Sequence, residues 1–126
     1  MADNDLKRYF TKYLRDYCKS NYPKGTECFI CGSKEELNFH HYQTLSVLVN
    51  SWVKKNGLNI TTAEEAYLHR EDFEQEHQAE LYDDAVTLCK EHHQKLHSIY
   101  GRNPALFTAK KQRNWVRIQR EKCGLE

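Results

Sequence analysis

Apolar residues are scarce in this sequence: 39% of its 126 residues are hydrophobic. A chain of that length has room for one domain, spanning residues 1–126, with a modest core. So small an apolar inventory favours an added staple, which a bound metal supplies without further packing. No apolar run is long enough to cross a bilayer, and the N-terminus lacks the apolar stretch of a signal peptide. Both absences point to a soluble, intracellular chain. Excess charge is also missing, the formal net charge being only +1, so net charge gives no ground for bulk attraction to nucleic acid. Neither an internal repeat nor a low-complexity tract is present.

The charge that is there is segregated. Between Glu64 and Asp84 nine acidic residues face the single base Arg70, whereas residues 110–122 carry Lys110, Lys111, Arg113, Arg117, Arg120 and Lys122 against Glu121 alone. One face is thus expected to meet phosphate and another to repel it. The five cysteines do not form a disulfide framework. Cys28 and Cys31 make a C-x-x-C pair, Cys89 opens C-x-x-H with His92, and Cys18 and Cys123 stand apart. In a reducing compartment such thiolates serve metals more often than disulfides.

Hydrophobic periodicity places the elements. Leu6, Tyr9, Phe10, Tyr13, Leu14 and Tyr17 predict an amphipathic helix over residues 5–18, capped by Asp3 or Asn4 and ended by the turn at Asn21 to Gly25. Residues 36–41 read as a strand with Leu37 and Phe39 on one face and Asn38 and His40 on the other. Leu45, Leu48, Val49, Trp52 and Val53 predict a helix closed by Asn56-Gly57. A second, polar helix is expected to start at Thr61 or Thr62, where Thr62 and Glu65 form a capping box, and to run to about residue 82. Its apolar positions, among them Ala66, Phe73 and Leu81, are sparse, which predicts a solvated or protruding arm. Residues 84–88 lead into Cys89, a helix over residues 90–100 stops at Gly101, and a last helix over 104–122 starts at Pro104. That helix is expected to turn Phe107, Trp115, Val116 and Ile118 inward.

Cys28, Cys31, Cys89 and His92 form two pairs with two intervening residues each, the spacing that lets a turn and a first helical turn offer four ligands to one tetrahedral zinc ion. His93 could replace His92 as the fourth. With every position filled by protein such a site is closed and structural. His40, His41, His93 and His97 remain nearby. A helix puts His93 and His97 on one face, while consecutive strand residues such as His40 and His41 point to opposite sides. One of these can ligate a metal while the other addresses a substrate.

These motifs resemble the HNH endonucleases, particularly the small phage and bacterial kind with a zinc knuckle. The matching residues are Cys28-x-x-Cys31, Leu37-x-Phe39-His40-His41 and the segment from Asp84 through Cys89, His92 and His93 to His97. The core segments are about 26–42 and 82–101; the helical insert 44–82, the N-terminal segment and the basic C-terminal helix lie outside them. The resemblance implies an α+β chain with a ββα-metal (His-Me finger) core and a structural zinc knuckle among flanking and inserted helices. It implies a divalent-metal-dependent DNA endonuclease, weakly sequence-specific, that leaves a 5′-phosphate and a 3′-hydroxyl. By the same match His40, His93 and His97 hold the catalytic metal, and His41 is the general base. Asp84 stands where the family has Asn, either orienting the base-bearing loop or joining the metal shell, and His92 stands where a fourth zinc cysteine is more usual.

Imidazoles favour Mn, Ni, Co or Zn for the catalytic ion, and Mg if Asp84 ligates. DNA is the expected partner through Lys110, Lys111, Arg113 and Arg117, with no membrane involved, in the cytoplasm of a bacterial or phage-infected cell. The insert is a candidate homodimerisation arm or dock for a phage or bacterial protein. The competing reading is a non-catalytic zinc module that binds DNA or protein; a dithiol redox enzyme built on Cys28 and Cys31 leaves His92 unexplained.

Overall fold

Phe10, Leu14 and Cys18 stand four residues apart, and in the computed structural model all three are buried along one side of a helix, α1 (Asp3–Cys18). The structure describes residues 3–125, with side chains from Tyr9 onward; the inward face expected of Leu6 and the cap expected at Asp3 or Asn4 lie outside the described side chains. A 3-10 turn (Lys19–Asn21) follows, and the extended Tyr22, restricted by the proline after it, ends the helical path.

Two antiparallel strands, β1 (Leu37–His41) and β2 (Ala85–Cys89), pair with Leu37 opposite Cys89 and His41 opposite Ala85. Helix α4 (Lys90–Tyr100) continues directly from β2, so the sheet and the helix behind it form a ββα-metal-like arrangement within a small α+β fold. The cysteine loop packs along β2: Phe29 N–H donates to Thr87 O at 2.9 Å and Gly25 N–H to Thr87 Oγ1 at 2.8 Å. Gly32, at φ +77°, makes the tight return in which its N–H reaches Cys28 O at 2.8 Å.

Between the strands run α2 (Leu45–Lys55), α3 (Ala63–Glu76) and a π-helical turn (Ala79–Asp83). Thr62 caps α3 by accepting Glu65 N–H at 3.2 Å, while the Glu65 carboxylate takes the Thr61 and Thr62 hydroxyls. The polar helix is no protruding arm. Ala66, Phe73 and Leu81 are fully buried against Phe10, Leu14, Leu45, Val49 and Trp52, and a buried phenyl such as Phe73 contributes about 3 kcal/mol. Nor does the helix reach residue 82. It stops at Glu76, where His77 Nδ1–H turns back to Phe73 O at 2.8 Å, and the π turn that follows brings Leu81 into the core.

A second core joins Ile30, Val86, Leu88 and Leu96 to Ala109 and Val116 of α5 (Ala109–Lys122). Gly101, at φ +92°, closes α4 with its N–H on His97 O at 2.8 Å. The last helix begins five residues later than periodicity predicts. Pro104 is buried with its carbonyl taken by the Thr44 hydroxyl, and a 3-10 turn (Leu106–Thr108) is closed by Thr108 Oγ1–H on Ala105 O at 2.6 Å. Phe107, expected inside, therefore points outward and is 82% exposed.

Candidate active site

Two clusters of potential ligands draw on α4, one through His92 and the other through His93 and His97. In the first, the donor atoms of Cys28, Cys31, Cys89 and His92 all lie within 4.8 Å of one another. Cys31 Sγ is 3.9 Å from Cys89 Sγ, and His92 Nδ1 is 3.3 Å from Cys89 Sγ and 4.0 Å from Cys28 Sγ. Thiolates bonded at about 2.3 Å to one tetrahedral ion stand about 3.8 Å apart, so these residues can hold a metal as they are. Burial opposes ionisation of Cys28, yet the backbone N–H groups of Cys89, Cys31 and Ile30 outweigh it and hold the thiol below its ordinary value.

The second cluster is His40, His93 and His97. His40 Nδ1 lies 3.2 Å from His93 Nε2, which lies 3.0 Å from His97 Nε2. Three nitrogens so close repel unless a shared cation or proton lies between them. Their outer nitrogens decide which atoms carry lone pairs. Gln112 Oε1 can only accept, so His40 Nε2 carries the proton and donates to it at 2.8 Å; likewise His97 Nδ1–H donates to Gly101 O at 2.8 Å. His40 Nδ1 and His97 Nε2 are thereby left as donors to a metal. Burial pushes His40 down to about 3, with His93 and His97 adding to the shift, and pushes His93 down to about 4. Both are neutral at pH 7, the form a ligand needs.

On the opposite face of β1, His41 packs edge-on against Tyr22 and Phe39, with ring centroids 4.9 and 5.2 Å away. Its Nε2–H donates to Leu81 O in the π turn at 3.0 Å, so Nδ1 is the free lone pair. Burial holds this imidazole down at about 4, assisted by Arg15 and opposed by the Leu81 bond.

The model of the nicking endonuclease family, a family named for phage T5, matches residues 1–124. The chain belongs to this family. Together with the two ligand clusters, the match identifies an HNH-type nuclease. No solved structure matched the chain. No helix among the described residues is long and apolar enough to cross a membrane.

The adjacent histidines are divided between the clusters: His92 faces the cysteines and His93 faces His40. Asp84 touches neither cluster. Its carboxylate receives Arg113 Nε–H at 2.7 Å, a second Arg113 nitrogen, and Gln43 Nε2–H at 3.0 Å. Arg113 first among these contacts keeps the carboxyl below its ordinary range despite partial burial. The backbone carbonyl of Asp84 also accepts Tyr42 N–H at 3.2 Å. Asp84 thus pins the two residues after His41, through main chain and side chain, without contacting the imidazole. Arg113, read from sequence as a phosphate contact, is paired with that carboxylate. Arg117 is bonded to Glu121 and Asn114, each at 2.7 Å, while Lys110 and Lys111 are exposed.

Sequence reasoning missed Gln112, which is fully buried and joins His40 to Thr108 Oγ1, the latter at 3.0 Å. A signal existed. Ala109, Gln112 and Val116 share the inward stripe of α5, and an amide on an apolar stripe demands a buried partner.

Proposed function

We propose that this chain nicks duplex DNA by hydrolysis, using His41 as general base and a divalent cation held by His40, His93 and His97. In the same reading Cys28, Cys31, Cys89 and His92 hold a zinc ion whose task is structural, tying the cysteine loop to the start of α4. One observation carries this reading: three imidazole nitrogens converge within 3.2 Å of their neighbours, His93 and His97 from α4 and His40 from the strand that also presents His41, with the outer nitrogens of His40 and His97 fixed by acceptors.

His41 Nδ1 takes the proton from an attacking water. Its Nε2–H on Leu81 O stops the ring from turning, and burial keeps the ring neutral and able to accept. An arriving phosphate is an anion and raises the affinity of His41 for that proton, which strengthens the base only when substrate is in place. The cation, when bound, supplies positive charge to the oxygens of the scissile phosphate. Water oxygen bonds to phosphorus, the bond to the 3′ oxygen breaks, and that oxygen takes up a proton, leaving a 5′-phosphate and a 3′-hydroxyl. Because the ligands are three imidazoles with no carboxylate, Mn, Co, Ni or Zn suits the site better than Mg. Lys110 and Lys111, with Arg117 beyond them, meet backbone phosphates, a contact that weakens with salt. Arg113 acts through Asp84 on the loop after the base.

One such centre per chain cuts one strand. Zinc-loaded protein given Mn and supercoiled plasmid is therefore expected to accumulate open circles well before linear DNA, as followed by agarose electrophoresis. Linear product appearing as fast as open circles would mean paired cleavage. Intact plasmid with Mn, Co, Ni and Mg alike would leave only the DNA- or protein-binding zinc module.

A further inference from the structure

Phe107 is the most exposed large apolar residue among those described, at 82%, and nothing in the hydrolytic scheme uses it. It is not a loose side chain on a loose loop. Pro104 before it and Ala109 after it are buried, Leu106 packs on the helical core, and Thr108 N–H and Oγ1–H both close on Ala105 O, at 3.0 and 2.6 Å. The 3-10 turn presents one phenyl ring to solvent on a rigid mount.

That mount is strung between two members of the imidazole trio. At its far end Gly101 O accepts from His97. At its near end Thr108 Oγ1 accepts from Gln112, whose Oε1 accepts from His40. The segment that carries the ring is thus hydrogen-bonded at both ends to groups that hold two of the proposed ligands. The flanking sequence is cationic: Arg102, Lys110 and Lys111 are exposed, and no acidic residue occurs between Glu91 and Glu121. The other exposed apolar pair, Tyr67 and Leu68 at 61% and 69%, sits among Glu64, Glu65, Glu71 and Asp72, where a polyanion is repelled.

We propose that Phe107 is a wedge that enters the base stack of duplex DNA beside the scissile phosphate, with Arg102, Lys110 and Lys111 on the flanking backbone; this rests on DNA being the substrate. Cations that grip phosphates fix register, and an apolar ring projecting between them gains contact by unstacking a base step and kinking the duplex. The unstacking turns the backbone toward His41 and singles out flexible steps, so the ring acts as a specificity-determining residue.

The test separates the wedge from the hydrolytic chemistry. His41→Ala and the double variant His41→Ala/Phe107→Ala are bound to relaxed closed plasmid, treated with a topoisomerase and stripped of protein, and the residual supercoiling is read. Unwinding by His41→Ala that is lost in the double variant is the expected result. Alongside, Phe107→Ala with His41 intact is expected to nick at least tenfold more slowly, through kcat more than KM, and Phe107→Trp to keep most of the rate. Equal unwinding by both proteins, or none by either, overturns the wedge. So does a DNA-independent dimer that Phe107→Ala dissociates without change in nicking. If the wild type cuts nothing yet the unwinding difference holds, hydrolysis fails and the wedge stands.

Discussion

Replacing His41 with alanine is expected to slow nicking by about a thousandfold, within the 10²–10⁴ range that a general base commands. The size of the loss follows from the absence of a substitute among the described groups around it. Tyr22 and Phe39 form its walls, its Nε2–H is bound to Leu81 O, and the neighbouring imidazoles turn their lone pairs toward each other on the far face of the strand. His41→Gln keeps the volume and a donor for Leu81 O but has no basic nitrogen, so it is expected to fall as far while melting near the wild-type temperature. Plasmid nicking rates with thermal melts on the same samples make the check; a His41→Gln protein that cuts within threefold of wild type contradicts the assignment.

Stripping the zinc proposed at Cys28, Cys31, Cys89 and His92 is expected to unfold the part of the chain that carries the histidine cluster. Structural zinc sites contribute on the order of 10 kcal/mol of binding free energy at pH 7, comparable to the entire stability of a small domain. Here the ligands join the loop around Cys28 to the β2–α4 junction, and Cys28 and Cys89 are themselves part of the core formed with Ile30, Leu88 and Leu96. Loss of the ion leaves two buried thiols and a half-buried imidazole with no common partner, and α4 loses its anchor. Circular dichroism and thermal melting with a strong chelator, beside Cys89→Ser, are expected to show lost helicity and no cooperative transition. Cys18→Ser lies in the helical core and Cys123→Ser on the surface, so neither is expected to change zinc content. A zinc-free protein with an unchanged melt removes the structural role.

What the sequence disclosed was local. The fourfold repeat of Phe10, Leu14 and Cys18, the Thr62 cap, the glycine stop at Gly101 and the two-residue ligand pairs each depend on neighbours within one or two turns. What it concealed depends on contacts across the chain. Gln112 meets His40 from 72 residues away and Arg113 meets Asp84 from 29, so a basic stripe read as phosphate contacts contained a residue already paired. Leu81 supplies His41 through a main-chain carbonyl, which no side-chain pattern advertises. The acidic helix looked too polar to pack because its three inward residues, Ala66, Phe73 and Leu81, are spread over two elements with a break at His77 between them. Phe107 fitted the helical period, but the buried Pro104 and the Thr108 closure delay α5 and turn that residue outward.

The hydrolytic scheme requires three imidazoles to share one cation apart from the knuckle. Zinc-loaded wild type and His93→Ala, titrated with Mn and followed by electron paramagnetic resonance of the free ion, measure this directly. The expected result is one Mn bound per wild-type chain and none at the same concentrations in His93→Ala, with zinc content and melting temperature alike in the two. Equal Mn binding by both proteins contradicts it.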